Sequence, residues 1–389
     1  MDRRRRPSFP TSAGPAPPLE DENLLLEILP RLPPLPSSLP RACLVCKRWR
    51  RLVSDPKFLR RFRAHHCKPP LLGFFVRGID GPSFTPTLDT PDRVPAARFS
   101  LPQSRGESWA FVGCRHGLAL LINHTRLGAV VWDPITGHRR CVAFPPGINT
   151  HPWVRSAALL CPSGTDHVHG DDLGSRPFKL VLVGVGRSAE PSAFACVYDS
   201  ESGAWGNIIS AGTAQHVTYA ARASSVLVGN ALHWLLIGDG ILKFDFERQS
   251  LVVIERPLVV SCIRFQILRT HESRLGFAMW TEGGMEIWER KSSSDNGLRW
   301  ALQQIIQLDK LLPLGPSRDR GFIAGFDEDT NVIFLSMYTG RSFMIQLESM
   351  QLRSISGTHH DHFYPYTNFF TAGRGIGNGN GGVKILYNT

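Results

Sequence analysis

VLVGNALHWLLIGDGILKFDFERQSLVVI, residues 226–254, decides how most of this 389-residue chain folds. Short apolar runs rich in Val, Ile, Leu and aromatics are separated by Gly229-Asn230, Gly238-Asp239-Gly240 and Glu247 to Ser250. Runs of that length between turn residues are strands of a folded-back sheet, too short and too often interrupted for helices. The second strand ends on an acidic residue, Asp245, and a polar turn leads into the third.

The same phrase recurs. Copies begin at Gly113 (GCRHGLALLI to VVWDPITGHRR), Phe178 (FKLVLVGV to CVYDSESGAW), Val226, Arg274 (RLGFAMW to MEIWERKSSSDNGLRW) and Phe322 (FIAGFDEDTNVIFLSM to FMIQLESMQLRSI). Asp199, Asp245 and Glu289 stand 46 and 44 residues apart, the length of one four-stranded propeller blade. The wider interval from Asp133 to Asp199 is explained by a polar insertion from Cys161 to Arg176, which belongs in a loop. Five copies, plus strands at Leu71 to Val76 and Val383 to Tyr387 that complete a blade shared by both chain ends, predict an all-β propeller of about six blades over residues 70–389.

Composition agrees. Gly 36 and Pro 29 are more than a helical bundle tolerates, and the hydrophobic fraction of 42% supports a large core. No apolar run approaches the roughly 18 residues of a membrane-spanning helix, and eight scattered cysteines lack the dense spacing of a disulfide scaffold. The chain reads as soluble, with free thiols, in the cytoplasm and/or nucleus. Its net charge of +11 is concentrated at one end: residues 1–68 hold 15 Lys/Arg against 6 Asp/Glu, whereas the remainder holds 29 against 27. A nucleic-acid surface spread over the large domain is therefore not supported.

Residues 1–18 have little to bury and read as a disordered basic, Pro-rich leader, with Arg3 to Arg6 as a solvated end. From Leu19 the period becomes helical. Leu24, Leu25, Ile28, Leu29 and Leu32 share one stripe, with Glu20 to Glu22 in the first turn and Pro33 as the stop. A second helix is expected to start near Pro40, capped by Ser37 or Ser38, with Ala42, Val45, Cys46, Trp49 and Val53 as its apolar stripe and arginines outside it. A third spans Asp55 to Ala64 with Phe58, Leu59 and Phe62 inward. This small all-α unit, residues 19–66, is too short to bury much core alone and must lean on a partner.

LEDENLLLEILPRLPPLPSSLPRACLVCKRWRRLVSDPKFL, residues 19–59, resembles an F-box, through Leu24-Leu25, Glu27-Ile28-Leu29, Arg31-Leu32-Pro33, Val45 to Arg50 and Asp55-Pro56-Lys57-Phe58. The downstream phrases GCRHGLALL, VVWDPITGHRR, CVYDSESGAW, GNALHWLL and ILKFDFERQSL resemble the F-box-associated repeats of plant F-box proteins, those of grasses especially. The resemblance implies a small all-α F-box followed by a kelch-like propeller. It also implies a substrate-recognition subunit of a Skp-cullin-F-box ubiquitin ligase, with a Skp-type adaptor, through it cullin, and an unknown target protein as partners. The adaptor contacts it carries over are Leu19, Leu24, Leu25, Ile28, Leu29, Leu32, Pro33, Val45, Cys46 and Trp49. Two departures stand out: Glu20 replaces the usual Pro after Leu19, and Pro30 falls where the first helix normally continues, so a kink there and weaker adaptor binding are expected. The other reading left open is a propeller interaction scaffold, outside any ligase, with a degenerate F-box.

Chemical motifs are weak. Cys43-x-x-Cys46 with His65, His66 and Cys67 has zinc donors, but both early cysteines fall on a predicted helix. Gly184-x-Gly186-x-x-Ala189 is followed by Pro191 and a β-like run where a dinucleotide site needs a helix. The glycine-rich 373–382 stretch has too little chain after it to build such a site, and His167, His169, Asp171 and Asp172 are read as a polar loop. No Gly-x-Ser-x-Gly elbow occurs, and we expect no catalytic residue, no metal and no cofactor in this chain. Trp132, Trp205, Trp234 and Trp288 are expected to pack blades rather than stack a ligand.

Overall fold

The computed structural model describes residues 19, 21–78, 81–101, 109–123, 126–148, 154–161, 176–186, 192–212, 218–219, 224–237, 240–255, 265–281, 284–292, 298–312, 321–355 and 362–370. The basic leader, residues 1–18, the core of the polar insertion, 162–175, the glycine-rich run and the strand expected at 383–387 all lie outside the described residues.

Four helices come first. α1 (Glu22–Ile28) starts where the Asp21 carboxylate accepts from the Asn23 N–H at 2.8 Å. It ends one turn earlier than its apolar period implied. Leu29–Arg31 form a 3-10 turn with Pro30 in its first positions, where a missing N–H leaves no bond unmade. The expected kink is absent for that reason, and Pro30 is buried.

The single basic helix expected from Pro40 onward is two helices, α2 (Ser38–Val45) and α3 (Lys47–Ser54). They break at Cys46, which is fully extended (φ −162°, ψ 170°) and whose Sγ accepts from the Trp49 N–H at 3.4 Å. Ser37 precedes α2 without a side-chain cap. α4 (Pro56–His66) is capped by Asp55, which accepts from the Lys57 N–H at 2.7 Å. Leu25, Leu29, Leu39, Ala42, Leu52, Val53, Phe58, Leu59 and Phe62 form the core of this helical region.

The remainder is a six-bladed ring. It opens with β1 (Leu71–Gly78) and β2 (Gly81–Pro86). Blade two is β3 (Ala110–Arg115), β4 (Leu118–Asn123), β5 (Gly128–Trp132) and β6 (Arg139–Ala143), a simple antiparallel meander. Blade three is β7 (Val154–Leu160), β8 (Lys179–Gly186) and β9 (Ser192–Asp199), with its outer edge split into β10 (Ala204–Trp205) and β11 (Ile209–Gly212). In blade four the inner strand is split, β12 (Thr218–Tyr219) and β13 (Val226–Val228), before β14 (Ala231–Ile237), β15 (Gly240–Asp245) and β16 (Ser250–Glu255). Blade five is β17 (Phe265–Arg269), β18 (Leu275–Thr281), β19 (Gly284–Ser292) and β20 (Leu298–Ile306). Blade six is β21 (Gly321–Asp327), β22 (Val332–Met337), β23 (Ser342–Gln346) and β24 (Leu352–Ile355).

β25 (Tyr364–Thr367) then pairs antiparallel with β1, setting Leu71 opposite Thr367 and Phe75 opposite Tyr364. The ring thus closes on a blade built from an early and a late segment of the propeller, with the late strand described at 364–367; the strand expected at 383–387 lies outside the described residues.

The repeated acidic residue has a plain local cause. Asp133 accepts from the Ile135 N–H at 2.9 Å while its carbonyl takes the Gly137 N–H at 2.8 Å, and Gly137 sits at φ +77°. Asp199 does the same with Glu201 and Gly203 (φ +71°), and Asp245 caps its turn through the Arg248 N–H. Asp133 and Asp199 make Asx turns, Asp245 accepts from one residue further on, and all three stand between the third and fourth strands of a blade. Glu289 is not such a cap: it lies inside β19 and binds the Thr270 hydroxyl at 2.7 Å, so the 44-residue interval measured a different position.

Trp132 and Trp234 are fully buried between blades. Trp205 and Trp300 are half-buried and tie neighbouring outer strands, donating to Ala143 O and Glu255 O at 2.9 and 3.1 Å. At the closing seam, the buried Phe75 ring lies 5.0 to 5.6 Å from Phe84, Phe111, Trp132 and Tyr366. A Phe75→Ala change removes the shared member of that cluster, and the unfolding free energy measured in urea is expected to fall by about 3–5 kcal/mol.

Candidate functional site

Two arrangements invite a functional reading, one on the helices and one at the hub of the ring. On the helices, the ten expected contact residues separate into three groups. Leu25 and Leu29 are buried in the helical region's own core, so they hold its shape. Leu32 and Trp49 are half-buried against that core. Leu19, Leu24, Ile28, Pro33, Val45 and Cys46 are exposed.

Leu24 and Ile28 lie one turn apart on α1 and share a face. Sequence reasoning missed Leu44, which is the most exposed large apolar side chain described: exposure runs from 39% at Leu24 to 78% at Leu44. Leu44 fell outside the expected stripe because that stripe assumed one unbroken helix through Cys46, a break only the local backbone reveals. Five of the twelve exposed large hydrophobics described, Leu19, Leu24, Ile28, Leu44 and Val45, therefore stand between residues 19 and 45. Exposed apolar side chains gathered in this way are the kind of surface through which proteins interact.

The helical region is seated on the ring. Phe369, two residues past β25, packs against its core, with the Phe62 ring 6.2 Å away, and the Ser37 N–H donates to Asp92 at 2.9 Å. The seat lies on the edge that carries the turns after the first and third strand of each blade. The strands flanking the 161–176 insertion and the Lys291 to Gly297 turn end at that same edge.

At the hub, one ion pair gathers the inner strands. Arg115, the last residue of β3, meets the Glu328 carboxylate at 2.5 Å, with 7% and 16% of the two side chains exposed. Arg115 also donates to Ser225 O at 2.9 Å and Leu159 O at 3.3 Å, reaching blades four and three. Glu328 takes the Leu227 N–H at 2.9 Å, its backbone carbonyl takes Arg269 of blade five, and Thr367 of the closing blade binds Asp329 at 2.7 Å. All six blades thus contribute to one network around a cavity of about 30 Å³, room for about one water. The run Asp327-Glu328-Asp329 was visible in the sequence, but nothing there pointed to an arginine 213 residues away.

The electrostatics follow from packing. Burial pushes Glu328 upward, but the Arg115 guanidinium and its hydrogen bonds outweigh it and hold the carboxyl below its usual range. Asp327 has no such cation, and burial, then the charge of Asp329, push it up to about 7. Burial raises the Cys114 thiol well above its ordinary value. Each carboxylate of the hub is already bonded within the chain, a geometry that fastens strands together. Among the described residues no cluster of three His, Cys, Asp or Glu side chains is placed to hold a metal, and no helix is long and apolar enough to cross a membrane.

Comparison with known proteins decides the family. Residues 22–65 match the F-box-like domain, and residues 110–368 match the beta-propeller described as F-box protein AT5G49610-like. The chain belongs to the F-box proteins of this β-propeller type. The F-box protein At5g49610 of Arabidopsis thaliana is 30% identical over 244 residues, 61% of this chain and 64% of that protein, so the match spans less than two thirds of the relative. Among solved structures, a virginiamycin B lyase from Staphylococcus aureus overlaps 76% of this chain and 92% of its own with a TM-score of 0.38 and 8% identity. A quinonprotein alcohol dehydrogenase-like protein from Bacteroides thetaiotaomicron overlaps 76% of each chain, again at 0.38, with 9% identity. F-box/β-propeller proteins are typically non-catalytic adaptors, and an F-box implies a Skp-type adaptor as partner in general.

The raised Asp327 gives a pH prediction for this F-box protein. A carboxyl whose folded value of about 7 exceeds its unfolded value favours the native state below the unfolded value and loses that contribution as pH climbs through 7. Asp327→Asn is therefore expected to be more stable than wild type at about pH 8.5, with the advantage shrinking toward about pH 5. Urea midpoints at the two pH values test this, and equal differences at both would remove the assignment.

Proposed function

We propose that this F-box protein is the substrate-recognition subunit of a Skp-cullin-F-box ubiquitin ligase, holding the Skp-type adaptor through its F-box and a target protein through the propeller, in the cytoplasm or nucleus. The observation that carries the reading is the concentration of exposed apolar side chains on an F-box whose own core is already filled. A helix surface of that kind is suited to helix packing against a partner. Pro30 adds support, because its place in a 3-10 turn removes the main structural reason to regard the F-box as degenerate.

The mechanism is proximity. With the F-box seated on the ring through Phe369 and Asp92, a target held by the propeller stays at a defined distance from whatever the adaptor carries. A lysine of the target then meets the ubiquitin-loaded enzyme at high effective concentration, and the bond chemistry belongs to that enzyme. No residue of this chain needs to act as acid, base or nucleophile in that scheme.

The test uses Ile28→Asp with Leu44→Asp, two exposed positions whose change leaves the F-box core intact. Co-purification of the full chain with a plant Skp-type adaptor is expected to weaken by about tenfold or more, with the thermal midpoint unchanged. If folded wild-type protein fails to bind the adaptor, the ligase reading falls and a scaffold role replaces it.

A further inference from the structure

Blade five stands between two grooves on the edge where the F-box is seated. The groove toward blade six, about 500 Å³, is acidic, with Glu272, Glu289 and Glu348 against Arg269. The groove toward blade four, about 550 Å³, has the opposite character, with Lys243, Arg274, Arg290 and Lys291 against Asp245 and Glu247.

The cations of this second groove are not equivalent. Lys243 is 3.5 Å from Asp245, Arg274 is 2.7 Å from Glu272, and Lys291 is 3.3 Å from Glu289. Arg290 is half-buried, and its guanidinium has neither hydrogen bond nor ion pair among the described residues. Its partial burial pulls its pKa down. Below it lies His233, 3% exposed, whose Nδ1 has no hydrogen-bond partner among the described residues. Burial, with Lys243 nearby, lowers this histidine to about 4, so the ring is neutral and offers a polar edge rather than a second cation.

The remaining lining is mixed: Val228, Ala231, Ile254 and Leu275 are apolar, Asn230, Ser273 and Ser292 are polar, and Leu298, 58% exposed, is among the residues that border it. A nucleic-acid backbone brings evenly spaced phosphates that Asp245 and Glu247 repel. An acidic side chain with an apolar neighbour meets both the lone guanidinium and the apolar floor. We propose that the groove between blades four and five binds an acidic, partly apolar peptide segment of the target protein, with an Asp or Glu carboxylate on the Arg290 guanidinium. This rests on the receptor reading above for the identity of the occupant, though not for the existence of the groove.

The experiment selects displayed random twelve-residue peptides on the full chain and measures recovered peptides by fluorescence anisotropy on wild type, Arg290→Glu and Arg290→Lys. Expected are sequences enriched in Asp and Glu beside Leu or Phe. Their affinity should fall by about tenfold or more with Arg290→Glu, persist largely with Arg290→Lys, and weaken as salt rises. Recovery of no peptide, peptides without acidic bias, or affinities indifferent to Arg290→Glu would overturn the proposal. Lys243→Glu serves as the second variant should Arg290→Glu lower the thermal midpoint. Adaptor co-purification is run on the same proteins: loss of adaptor binding alone counts against the ligase reading, and loss of acidic selectivity alone counts against the groove.

Discussion

The propeller depends on one buried ion pair. Blades of antiparallel strands pack face to face through apolar side chains, and that packing alone tolerates sliding of one blade against the next. Arg115 and Glu328 remove the freedom at the axis, because a guanidinium with planar donors bonds several acceptors at fixed angles at once. Removing either partner leaves the other charged and dry, which is far more costly than the pair itself is stabilising. Asp327 and Asp329 crowd around that pair, and their carboxyls are raised first by burial and then by the charges of their carboxylate neighbours.

Much of this was legible in the residues. The interval between Asp199 and Asp245 is a true blade repeat because both carboxylates accept a backbone N–H of the turn between the third and fourth strands, a local chemistry that sequence reports faithfully. Glu289 looked like the next member only because it is acidic at a similar spacing, and its actual partner, Thr270, lies across the sheet. The strand at 364–367 was missed for a related reason. Val383 to Tyr387 reads as a strand by propensity, whereas Tyr364–Thr367 includes Pro365 and is short, so only its pairing with β1 identifies it.

The F-box shows where pattern reading stops. A helical stripe tells which residues are apolar, but not which of them turn inward, and Leu25 and Leu29 belong to the core while Leu24 and Ile28 face out. The break at Cys46 shifted the phase of everything before it and exposed Leu44 and Val45 together. Groove and hub were invisible for a different reason: Arg290 and His233, like Arg115 and Glu328, stand on different blades and meet only when the blades pack.

Residues 362–370 carry a consequence for the order in which the molecule is built. This short segment supplies the strand that closes the ring, the Thr367 hydroxyl of the hub and the Phe369 ring beneath the F-box. Its partner Leu71 emerges from the ribosome almost three hundred residues earlier, so the contact spans most of the described chain. The F-box helices can form while the ring is still open, but their seat exists only after the last strand has arrived. A chain cut short before Tyr364 would therefore present a helical surface with no closed receptor behind it, and the fold ties the orientation of one end of the protein to the completion of the other.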